Sequence, residues 1–153
     1  MTDKSVFTDE EWHAVTDAPL LVTAAIFAVG EHGPISMVKE ASASARSITH
    51  PGERGAANEL IGQIVAEANT KETRAEIKEH RGPTPQAAVE GVLKDLEPAA
   101  TAIKAKLPAE EAAQVAGWFV AIAKAVAESA KTVNPDEQAT IAKVAALFGV
   151  AAD

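Results

Sequence analysis

No cysteine occurs in the 153 residues. Disulfides, thiolate metal sites and cysteine nucleophiles are therefore excluded, and an intracellular setting fits. Tyrosine is also absent, and aromatics make up 4% of a chain that is 47% apolar, so the apolar share rests on Ala, Val, Ile and Leu. Basic residues are scarce: 14 Lys and Arg stand against 22 Asp and Glu, for a formal charge of −8. Phosphate binding needs a basic patch, so nucleic acid is disfavoured as a partner, as is an anionic membrane surface. A long apolar run is missing too. The strongest, Ala18 to Val29, is about half of what a helix needs to cross a bilayer, and it reads as a buried core helix. The start at Met1, Thr2, Asp3 and Lys4 lacks a signal-peptide pattern, so a cytoplasmic location is the expectation.

The usual catalytic patterns are wanting as well. Ser36, Ser42, Ser44 and Ser47 do not sit in a Gly-x-Ser-x-Gly elbow. Neither a phosphate loop nor a Gly-x-Gly-x-x-Gly turn occurs. The sequence thus points away from an enzyme. Nothing reads as a strand either, because no alternating β-branched run and no two-residue hairpin turn is present.

What remains is helical patterning. Abundant alanine favours helix, since Ala loses no side-chain entropy there, and small side chains let helices approach closely. The expectation is an all-α, compact bundle of about six to eight helices built from helical hairpins, a single domain over 1–153 with a flexible N-terminus at 1–7. Thr8 and Glu11 make a capping box for a short helix through Trp12 to Asp17. Asp17 and Pro19 mark a second start, and Leu20 to Val29 then forms a helix apolar on nearly every side, of the kind that sits centrally. After the turn Gly30 to Gly33, Pro34 opens a third helix that fades before His50, Pro51 and Gly52. A fourth, from about Arg54, carries Leu60, Ile61, Ile64 and Val65. Thr70 caps a polar segment, Lys71 to His80, that could project toward a neighbour, which favours a homodimer. Beyond Arg81 to Pro83, the next helix turns Val89, Val92, Leu93 and Leu96 inward. Pro98 should kink or split it.

The longest clean pattern runs from Pro108 to Phe148. Pro108 begins a helix with Glu110 and Glu111 in its first turn, where they face the positive end of the helix dipole. Val115, Trp118, Phe119, Ile122 and Val126 form one stripe of period 3.6, while Lys124, Glu128 and Lys131 lie off it. Asn134 caps the next helix, Pro135 opens it, and Glu137 is placed to complete a capping box. Ile141, Val144 and Phe148 line its inner face. Gly149 ends it, and Val150 can fold back on Val144 or Ala145. Pro19 to Glu40 and Trp118 to Phe148 share one order: apolar helix, short turn, proline, second helix. A duplication of a helical hairpin would explain the echo. So would chance, because that order is common in all-α proteins.

Two acidic groupings are candidates for a divalent metal. Glu72, Glu76, Glu79 and His80 lie on overlapping faces of one helix, though Lys71, Arg74 and Lys78 between them also suit a solvated face of i,i+4 pairs. The second grouping is Glu128, Asp136 and Glu137. The spacing Glu10-x-x-His13 matches half of a di-iron carboxylate pattern, but the second motif and two further glutamates are wanting. Trp12 and Trp118 read as core or interface anchors. No cofactor is expected otherwise.

The C-terminal hairpin resembles the tellurite-resistance TerB family. Ile122 to Ala130 stands for its Ala-rich helix, Val133 to Glu137 for its capped turn with Glu at the third position, and Ala145 to Gly149 for its Leu/Gly ending. The resemblance is confined to the C-terminal third, and the family's Asp-Gly turn is replaced by Ser129, Ala130 and Lys131. It implies a small protein of paired helical hairpins, non-enzymatic, serving in interaction or stress response, with a protein partner and a metal role for Glu128, Asp136 and Glu137. The alternatives are an acidic metal-binding bundle and a carrier of a small apolar ligand between the Ala-rich helices near Leu20 to Val29.

Overall fold

The computed structural model describes residues 4–29, 59–68, 85–128 and 135–150. Among these residues every regular element is helical: a 3-10 turn at Lys4–Val6, then α1 (Asp9–Val29), α2 (Glu59–Ala68), α3 (Pro85–Lys106), α4 (Ala109–Glu128) and α5 (Pro135–Phe148). The all-α expectation holds. The expectation of six to eight helices exceeds the five described, and one reason is that two proline boundaries are not boundaries. The third helix at Pro34, the polar helix at Lys71 to His80 and the cap at Asn134 lie outside the described residues.

The break at Asp17 and Pro19 is corrected. One 21-residue helix runs from Asp9 to Val29 with Pro19 inside it. Proline removes one backbone hydrogen bond and crowds the carbonyl four residues back, a local cost of about 3 kcal/mol. Val15, Leu21, Val22 and Ile26 on either side are all buried. Each is worth roughly 1.5–3 kcal/mol, so continuing the helix outweighs ending it. The same holds at Pro98, which lies inside the 22-residue α3 without splitting it. Val89, Val92 and Leu96 before the proline and Ala99, Ala102 and Ile103 after it are buried in one continuous face.

The expected central helix is α1, which packs against α2, α3, α4 and α5, most extensively against α3. Its own first turn is fixed by local chemistry. The Thr8 N–H donates to Glu11 Oε1 at 2.9 Å, and the Glu11 N–H donates to Thr8 Oγ1 at 3.2 Å, which completes the capping box. Phe7 before the cap stacks on Trp12 one turn inside it, with ring centroids 6.0 Å apart. That pair is a hydrophobic staple. The segment expected to be flexible thus contributes the buried Phe7, and the Lys4 N–H donates to Gln63 Oε1 of α2 at 3.0 Å.

The hydrogen bonds from Thr8 and the charge of Lys106, 4.0 Å away, hold the Glu11 carboxyl below its ordinary value. A carboxyl lowered on folding adds stability that is present above the ordinary value of 4.5 and lost as pH falls through the lowered one. Thr8→Ala should cost about 1 kcal/mol near neutrality. The backbone N–H of residue 8, the largest cause of the lowered carboxyl, survives that change, so it is Glu11→Gln that should flatten the acid limb of a stability-against-pH curve measured by urea unfolding.

At the other end of the chain the expected stripe of α4 is buried throughout, and Ile141, Val144 and Phe148 of α5 meet it. Gly149 adopts φ 73°. The Gly149 N–H donates to the Ala146 carbonyl at 3.2 Å and the Val150 N–H to the Ala145 carbonyl at 3.0 Å, a Schellman ending. Lys104 of α3 reaches over and donates from Nζ to the Leu147 carbonyl at 3.0 Å. Its charge meets the negative end of the α5 dipole there. Gly149→Ala should lower stability by about 1–2 kcal/mol, because a Cβ strains the left-handed conformation. A thermal melt would register the loss.

Candidate functional site

The sequence offered two acidic groupings, and one can be followed in the structure. Glu128 is exposed in the last turn of α4, and Asp136 is exposed in the first turn of α5. Glu137, the next residue, is fully buried. These three do not form a metal-ligating group; among the described residues no three His, Asp or Glu side chains do. Glu137 was legible as a first-turn acid from its place after Asn134 and Pro135. Its burial was not, because the helical period alone does not say that a first-turn acid will turn inward. Glu72, Glu76, Glu79 and His80 lie outside the described residues.

The remaining polar groups of the described core are engaged in holding helices. Thr16, Thr23 and Thr140 are buried. Their hydroxyls donate to the carbonyls of His13 at 3.0 Å, Pro19 at 3.0 Å and Asp136 at 2.8 Å. A hydroxyl buried without a partner would cost about 1–3 kcal/mol, and these three avoid it within their own helices. The Thr23 bond goes to the carbonyl of Pro19 itself.

On the half-exposed side of α1, His13 Nε2 lies 3.4 Å from Asp17 Oδ2. The i,i+4 spacing of this pair is visible in the sequence, whereas the sequence reading sets His13 against Glu10. Glu10 is exposed in the first turn and His13 takes Asp17 as its neighbour, so the partial di-iron spacing is absorbed by local pairing. Close by, Trp12 is half-buried, and its indole nitrogen is covered without a hydrogen-bond partner. Asp9, Glu10 and Glu110 in the first turns of α1 and α4 are exposed. The described acidic surface is therefore concentrated partly at helix N-termini, where the dipole already stabilises carboxylates.

The architecture places the chain among all-α helical bundles. No protein-family model, no curated protein and no solved structure matches it. No described helix is long and apolar enough to cross a membrane.

Proposed function

We propose that this chain is a non-enzymatic, cytoplasmic interaction protein, TerB-like in the arrangement of its helical hairpins and serving in stress response. The observation that supports this reading is where the polar side chains go. The buried threonines bond to backbone, Thr8 and Glu11 close the start of α1, and Lys104 closes the end of α5. These groups serve the scaffold, which leaves recognition to the surface. The chain as a whole carries a formal charge of −8, which favours as partner a protein with a basic contact face.

The test is capture of partners from extract of the native host on the immobilised chain, with a salt series. A basic protein held at low salt and released as salt rises is the expected result. Exposed charges are screened over about 10 Å at 0.1 M salt and about 3 Å at 1 M. A chain that retains no protein at any salt, yet turns over a small molecule, would overturn the proposal. Calorimetry with Ca²⁺, Mg²⁺, Zn²⁺ and Fe²⁺ separates the metal-binding alternative, since a ligand that binds only the folded form must raise its melting temperature.

A further inference from the structure

We infer that the chain contains two copies of one helical unit, Lys4 to Ile26 and Lys104 to Val126, packed against each other inside a single core. The basis is a correspondence at a shift of 100 positions. At every position from the pair Lys4/Lys104 to the pair Pro19/Phe119 the degree of burial is the same. Phe7 and Leu107 are buried just before their helices, and Thr8 and Pro108 are exposed at the corresponding junctions. The helices then begin at Asp9 and at Ala109. The first backbone bonds also correspond: Trp12 N–H to the Thr8 carbonyl at 2.8 Å, and Ala112 N–H to the Pro108 carbonyl at 2.9 Å. Lys4, Glu10, Glu11 and Val15 recur as Lys104, Glu110, Glu111 and Val115.

Amphipathicity alone does not give this. The face of one helix can be matched to that of another at several shifts, because the pattern recurs about every 3.6 residues. Matching the face, the helix start and the buried residue ahead of it together restricts the shift to one. The two units are also in direct contact, since α1 packs on α4. Each therefore covers part of the other's apolar face, as the subunits of a homodimer would. Small and large side chains trade places between the copies: Ala18 and Pro19 stand where Trp118 and Phe119 do, and all four are buried. The sequence echo between Pro19 to Glu40 and Trp118 to Phe148 begins at nearly the same shift, with Pro19 against Trp118 and Pro34 against Pro135.

Grafting within the full chain tests the equivalence. In one variant the sequence of residues 104–115 replaces residues 4–15 in register. In a control the grafted sequence is displaced by one position, which turns the buried face by about 100°. The in-register graft should keep a cooperative urea transition and the helical far-ultraviolet spectrum, and the displaced graft should lose both. Because the in-register graft removes Trp12 from its staple, Pro108→Thr is measured beside it. That substitution should raise the melting temperature by creating with Glu111 the box that Thr8 makes with Glu11, and the gain should vanish when Glu111→Ala is added. A displaced graft as stable as the in-register one overturns the inference. So does an in-register graft that unfolds while Pro108→Thr brings no gain; an unfolded graft with the Pro108→Thr gain supports it.

Discussion

Trp118→Ala should cost about 3–5 kcal/mol, the largest loss expected of any single truncation in this chain. Trp118 is 2% exposed. Its ring centroid lies 5.5 Å from that of Phe119, which lies 5.1 Å from that of Phe148. The three rings tie α4 to α5. Tilted ring pairs of this kind add about 0.5–1.5 kcal/mol each beyond the area they bury. Alanine makes up much of the core, including Ala18, Ala25, Ala123 and Ala127, and short side chains cannot swing far into the space an indole leaves. The cavity should therefore persist, which places the cost toward the upper end of its range. Against a total stability of about 5–15 kcal/mol, the melting temperature should fall by roughly 6–20 °C. Urea unfolding followed by far-ultraviolet circular dichroism measures it. A loss below about 1 kcal/mol would mean that the site collapses around the missing ring and that the aromatic chain does not anchor the hairpin.

The parts of this fold that could be read from the sequence are those governed by neighbours along the chain. The stripe from Val115 to Val126 follows from the helical period, and all its members are buried. The box at Thr8 and Glu11 and the ending at Gly149 follow from residue types at fixed spacings, and both form. The misreadings lie where tertiary contact overrides local preference. Pro19 signals a boundary in any isolated segment, yet burial on both sides of it carries α1 through. Lys104 caps a helix 43 residues away, and nothing local in either segment announces it. The candidate site was less legible than the fold for the same reason. Proximity in sequence puts Glu128, Asp136 and Glu137 on either side of one turn, but whether carboxylates converge depends on how two helices lie, and here Glu137 goes inward while the other two stay exposed.

Pro98→Ala should stabilise the protein by about 2 kcal/mol, a sign that distinguishes it from almost every other substitution in a helix. Proline in a helix interior is about 3 kcal/mol less favourable than alanine, because it lacks the N–H that would bond the carbonyl of Lys94. Part of that gain is offset, since removing proline frees the unfolded chain at a cost of about 0.4–1 kcal/mol. Pro98 is exposed, so its ring contributes little packing that alanine would forfeit. Pro19 is the control. It lies inside α1 in the same way but is buried, and Pro19→Ala should gain less because the lost ring leaves space in the core. Thermal melts of the two variants should therefore separate, with Pro98→Ala higher by several degrees. The competing possibility is that α3 needs a bend at Pro98 to follow α1, its most extensive neighbour. In that case alanine would straighten the helix and pull Ala99, Ala102 and Ile103 out of register with the face built by Val89, Val92 and Leu96. The stability change would then be a loss, so its sign decides whether the α1–α3 contact depends on the proline or merely tolerates it.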